Sequence, residues 1–220
     1  MIKCITIILL VGVSALSVSA QKEPALARSM DSVYVVDQAV RKLFSSSLNR
    51  DSMAKAKNVP VDEIYTVLTA EMVRIDSANI RFIDSVIRVY GYPGKSLVGE
   101  NASYAAWSVI QHSSRIDEFM PLLKAAADNG ELDFPFYAMT LDRQLMYKRQ
   151  EQIYGTQGSM VTLKSGEKGM IIWPIKDPEG VDERRKKAGF TSTVKENAAR
   201  MRIDYKVYKL SDLSEPVKKQ

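Results

Sequence analysis

This 220-residue chain has one histidine and one cysteine, so the two residue types that most often carry catalysis and hold metals are almost absent. The cysteine is Cys4, at the start of the apolar run Cys4–Val13. Lys3 precedes that run, and small residues follow it as far as Val18-Ser19-Ala20. A short basic start, an apolar centre and a small residue at the end describe a secretory signal peptide over Met1–Ala20, cut after Ala20. The run is too short, and too rich in serine towards its end, to make a membrane span. The mature chain is therefore expected to begin at Gln21, to be periplasmic or secreted, and to keep no stable membrane anchor.

Losing Cys4 excludes a disulfide, a thiolate nucleophile and a cysteine-bound metal. With a single histidine, only carboxylates remain as metal partners, and no Asp/Glu cluster has ligand spacing, so neither metal nor cofactor is expected. Charge of one sign is also lacking: 31 Lys and Arg face 26 Asp and Glu, and the net +5 falls to +4 without Lys3. No basic motif interleaved with aromatics is present, and nucleic acid is not an expected partner. There is no Gly-x-Ser-x-Gly elbow for a serine nucleophile. Gly94-Lys95-Ser96 looks like the end of a phosphate loop, but Val89 stands where its first glycine belongs.

What the chain does have is helical periodicity. Val33, Val36, Val40 and Phe44 recur at three- and four-residue steps, and a break falls near Ser45–Ser52. Pro60 opens a long helical pattern from Ile64 to Val89, with a possible kink at Asp76-Ser77-Ala78-Asn79 and a stop at Gly91. Asn101 can cap the next helix, whose Ala102, Ala105, Ala106 and Val109 share one face. Two further helices follow, around Phe119–Ala127 and from Pro135, the second apolar on two sides and so expected between layers.

After Tyr154 the period changes. Ser159–Lys164 and Met170–Ile175 form an expected hairpin around Ser165–Gly169. Asp177-Pro178-Glu179 starts a helix bearing Arg184-Arg185-Lys186-Lys187, and Thr193 with Glu196 is a capping box for the last helix. Arg202–Leu210 reads as a strand and Ser211–Gln220 as a frayed tail. The fold class is α+β: residues 21–58 form an N-terminal helical segment packed as one domain with a mainly helical 59–210, with the hairpin at about 159–175.

Three polar clusters sit on these apolar elements. His112 is the natural general acid or base, or else a structural histidine at a helix border. Gln111 points in a clearly different direction, so one small ligand is not expected to reach both side chains. Asp142 and Arg143 are either an orienting carboxylate and an anion-binding guanidinium or a structural ion pair, and a buried guanidinium needs carboxylate or carbonyl partners. Tyr154, Thr156 and Gln157 lie where helix gives way to hairpin. Gly155 among them marks the close approach of a ligand, or a bulge.

From about Asp76 to Phe190 the chain resembles the bacterial domain of unknown function 6624. The resemblance is carried by Tyr90–Glu100, by Val109-Ile110-Gln111-His112-Ser113, by Pro121–Glu131 and by Leu141-Asp142-Arg143. It continues through Gln152–Gln157, Pro174-Ile175 and Asp177–Gly189. It departs at Tyr92, where the family often has Trp, and after Gly189. The resemblance brings positions and no activity.

Two readings follow. The first is an exported cell-envelope module, binding or structural, in which His112, Asp142, Arg143, Tyr154 and Gln157 form a polar network. That network orders the core or holds a small anionic ligand or envelope polymer. The second is a metal-independent hydrolase or transferase with His112 as acid/base, Arg143 stabilising anionic charge, and Tyr154 or Gln157 positioning substrate.

Overall fold

A computed structural model describes residues 22–45 and 50–215, without the side chains of Phe44 and Ser45. The expected signal peptide, residues 46–49 of the break expected near Ser45–Ser52 and the last residues of the tail lie outside the described residues. In chain order the elements are α1 (Pro24–Ser45), α2 (Arg50–Lys57), α3 (Ile64–Tyr90), α4 (Lys95–Val98), α5 (Glu100–His112), α6 (Ile116–Asp128) and α7 (Phe134–Tyr147). Then come β1 (Gly158–Thr162), β2 (Lys168–Ile172), α8 (Val181–Lys187), α9 (Val194–Arg200) and a 3-10 turn, Leu210–Asp212. β1 and β2 pair antiparallel, with Met160 opposite Met170. The protein is thus a mostly helical α+β fold with a small hairpin, as the periodicity indicates.

The centre of the fold is α5. It packs against α1, α3, α4, α6 and α7, and Ala102 to Gln111 are buried apart from Tyr104, which is partly so. Ala102, Ser103, Ala105, Ala106 and Ser108 are small, which lets neighbouring backbones come close on several sides at once. Trp107 fills the α7 side, its indole N–H donating to the Phe136 carbonyl (2.8 Å) and Thr140 Oγ1 (2.9 Å). A second apolar cluster, Ile172, Ile175, Val181, Val194, Ala198 and Ile203, joins β2 to α8 and α9.

Several local expectations are corrected. The inward stripe of α1 is Ala27, Met30, Asp37 and Val40, whereas Val36 is exposed. α3 is not split at Asp76–Asn79 but runs as one helix from Ile64 to Tyr90, with Asp76 held by Arg41 of α1. α3 starts at Ile64, after a turn that contains Pro60. Gly99, not Asn101, precedes α5; it also ends α4, and its φ of 86° suits glycine. The hairpin lies a little earlier than its apolar pattern suggests, ending at Ile172.

α8 starts at Val181 rather than at Asp177-Pro178, because Arg184 binds the Asp177 carboxylate and the Lys176 and Asp177 carbonyls, folding 176–180 into a turn. Arg202–Leu210 is not a strand: it lies extended along the hairpin, with Ile203 buried and Tyr205 and Tyr208 packed on apolar clusters. The beginning of the expected tail is pinned. Leu213 is buried, and the Ser214 N–H donates to the Thr162 carbonyl (2.9 Å).

Candidate functional site

The structure sorts the polar residues into two clusters. The first surrounds Asp142, which is fully buried on α7. Its carboxylate accepts the N–H groups of Ile153 (2.7 Å), Tyr154 (3.1 Å) and Thr156 (3.0 Å) and the Thr156 hydroxyl (2.9 Å). Burial pushes this carboxyl up from its ordinary value, while those donors from Thr156, Ile153 and Tyr154 work against that rise.

Three carbonyls of the loop 153–157 are taken by side chains too. Arg184 Nε donates to the Ile153 carbonyl, Arg185 Nη1 to that of Tyr154 (2.8 Å), and Asn197 Nδ2 to that of Gly155 (2.9 Å). Gln152, fully buried, receives the Gln157 N–H on Oε1 and donates Nε2 to the Gln157 and Trp173 carbonyls. Arg185, 1% exposed, also donates to the Ser192 carbonyl and hydroxyl and lies over the Phe190 ring.

Gly155 has φ 65°, and an added Cβ would sit 2.6 Å from Val194 and 2.8 Å from Ile175. Its close approach is therefore to the protein's own core. The run Arg184–Lys187 contributes two of its four cations to this network. Asp142 is turned to the loop rather than to His112.

The second cluster lies at the end of α5. His112 meets a carboxylate that the sequence reading missed: Asp37 of α1, fully buried, with its oxygens 3.3 and 3.4 Å from His112 Nδ1. Asp37 also accepts the Ser108 hydroxyl (2.9 Å) and the Gln38 amide (2.8 Å), and pairs with Arg41 (2.9 Å). Arg41 reaches on to Asp76 of α3 (2.8 Å). Burial pushes Asp37 up, but the His112 hydrogen bond and charge, Arg41 and Ser108 together hold its carboxyl below the ordinary value. The missed signal was periodic: Met30, Val33, Asp37 and Val40 lie at steps of three and four, so an acid interrupts the inward stripe of α1.

This second cluster is incomplete. His112 has a 16% exposed side chain and lines an open cleft of about 240 Å³ with Val73, Asp76, Ser77 and Ile80 of α3 and the turn Ser113–Arg115. Its Nε2 has no protein partner among the described residues, and it is not among the buried unpaired atoms. Gln111 is 6% exposed with an unpaired Oε1, and Asn79 of α3 has an unpaired Nδ2.

Arg143, beside Asp142 in sequence, belongs here. It donates Nη1 to the Gln111 carbonyl (3.2 Å) and Nε to Gln157 Oε1 (3.2 Å), and no carboxylate among the described residues pairs with it. Burial lowers its pKa; Tyr147, next to it, opposes that, and the charge of Arg41 adds to it. Arg143 does not line the His112 cleft. Tyr147 borders another cleft, of about 250 Å³, on the other side of Ser113-Ser114.

Among the described residues, no three His, Cys, Asp or Glu side chains group so as to hold a metal ion. Ser108 is no nucleophile, being buried and donating to Asp37 rather than to His112. The Gly94-Lys95-Ser96 turn is closed by the protein itself: Glu131 accepts the Ser96 N–H, and Lys95 pairs with Asp133.

The model of a family described as "Family of unknown function (DUF6624)" matches residues 24–210. No curated protein and no solved structure matches the chain.

Proposed function

Because the chain belongs to the DUF6624 family, whose function is unknown, we propose from its geometry that it is an exported binding module of the cell envelope. The cluster at the end of α5 holds a small anionic ligand. Arg143 carries the reading. Its guanidinium is largely withdrawn from water, yet its partners are two neutral oxygens, and Arg41 lies within electrostatic reach. The Gln111 carbonyl belongs to the last turn of α5, where the helix dipole offsets part of a positive charge. A carboxylate or phosphate fits the guanidinium better, through two parallel N–H···O bonds. The unpaired Gln111 side chain adds an adaptable polar group nearby.

Export rests on the Met1–Ala20 pattern. Among the described residues no helix is long and apolar enough to cross a membrane.

The test is a set of thermal melts with phosphate, acetate and succinate at constant ionic strength. At a hundred times Kd a bound anion adds about 2.7 kcal/mol of stability. One of these anions is expected to raise the wild-type melting temperature and to leave Arg143→Met unmoved. Equal responses of the two proteins would refute the reading. N-terminal sequencing of protein recovered from cell fractions checks export, with Gln21 as the expected first residue.

A further inference from the structure

We propose that Asp37 and His112 form a general-base pair for ester hydrolysis in the cleft between α3 and the turn Ser113–Arg115. This goes beyond anion binding, and it stands on different atoms. His112 is the catalytic residue and Asp37 the positioning residue.

Four observations meet here. His112 Nδ1 faces both Asp37 oxygens at 3.3–3.4 Å, which fixes the proton on Nδ1 and leaves the lone pair on Nε2. Asp37 is itself held by Ser108, Gln38 and Arg41, so its direction is set before any ligand arrives. Nε2 has no protein partner among the described residues and is not sealed. The ring lines an open cleft of about 240 Å³ together with the apolar Val73 and Ile80 and the polar Asp76 and Ser77. The Nδ1 contact is longer than a strong hydrogen bond, as is common for a base awaiting its substrate.

In the step, Nε2 takes a proton from a water while the water oxygen bonds to the ester carbon. The imidazolium formed is stabilised by Asp37. The bond from carbon to the leaving alkoxide then breaks, and that oxygen takes the proton back from Nε2, giving acid, alcohol and the starting histidine. Val73 and Ile80 favour an ester with a short hydrocarbon part.

The experiment combines ¹⁵N NMR of the single histidine with hydrolysis of 4-nitrophenyl acetate by the mature chain. Wild type is expected to show the Nδ1–H tautomer. It is also expected to hydrolyse the ester about a hundredfold faster than His112→Ala, within the usual range for a positioned base. Asp37→Asn, if folded by its melt, should shift the tautomer towards Nε2–H and lose most of that rate. If Asp37→Asn does not fold, wild type against His112→Ala and the wild-type tautomer still decide. A wild-type Nε2–H tautomer, or equal rates for wild type and His112→Ala, would overturn the proposal. The anion melts depend on Arg143, so the two ideas fail separately.

Discussion

Asp142 and Asp37 are both fully buried carboxylates on helices, yet they serve opposite ends. Asp142 has only donors from its own chain around it, and the Ile153, Tyr154 and Gly155 carbonyls of the loop it holds each accept from a protein side chain. Asp37 belongs to a cluster with a half-open imidazole, an unpaired amide and a guanidinium without a carboxylate nearby. A buried polar group left bare costs free energy, so a fold that needs a network only for stability closes it. The closed cluster fastens the hairpin and α8 to α7. The open one is where a ligand has something to complete.

Removing Asp142 should break the closed cluster most severely. Asp142→Ala strips three buried or part-buried N–H groups and a buried hydroxyl of their acceptor, at about 1–3 kcal/mol each before relaxation. A total loss of about 3–5 kcal/mol in urea denaturation is expected. Next comes Gly155→Ala, which places a Cβ against Val194 and Ile175 at a positive φ. It should cost about 1–3 kcal/mol by the same assay.

The open cluster responds to pH. Asp37 has its carboxyl held below the ordinary value, so the folded state releases its proton more readily than the unfolded chain. The stability this gives is present above the unfolded value of about 4 and is lost as pH falls further, through the folded value. Wild type should therefore exceed Asp37→Asn in stability at neutral pH, and the gap should close as pH falls below about 4. The smallest effect is expected for His112→Ala. Its contact with Asp37 is long and its ring partly solvated, so a loss under about 1 kcal/mol should appear in the melt.

Much of this was legible in the sequence, for reasons that explain the remainder. Helices with a clean apolar stripe, such as α5 and α6, announce themselves by period, and the Thr193–Glu196 capping box is seen as expected. The polar positions 111, 112, 142, 143 and 154–157 were also visible, because polar residues on apolar elements stand out. Their division into two clusters was not. Asp142 and Arg143 are neighbours in sequence but leave α7 about 100° apart, so Asp142 meets the start of the loop while Arg143 bridges α5 and Gln157 at its end.

Asp37 went unseen because Val36 beside it offered a more hydrophobic stripe, and its partners Ser108 and His112 lie over 70 residues away. Arg185 lies in the basic run Arg184–Lys187, which by itself gives no sign of burial, and only the packing of α8 on the 153–157 loop buries it.

One comparison of like with like tests the division directly: the unfolding free energies of Arg143→Met and Arg185→Met, measured side by side without added anions. Both replacements remove a guanidinium and keep most of the side chain's bulk. Arg185→Met is expected to lose about 3–5 kcal/mol, because the Tyr154 and Ser192 carbonyls lose their donor. Arg143→Met is expected to stay within about 1 kcal/mol of wild type, because its guanidinium makes only two long hydrogen bonds, at 3.2 Å, and is not fully buried. Equal, large losses in both would mean that the second cluster is as structural as the first, and would contradict the account.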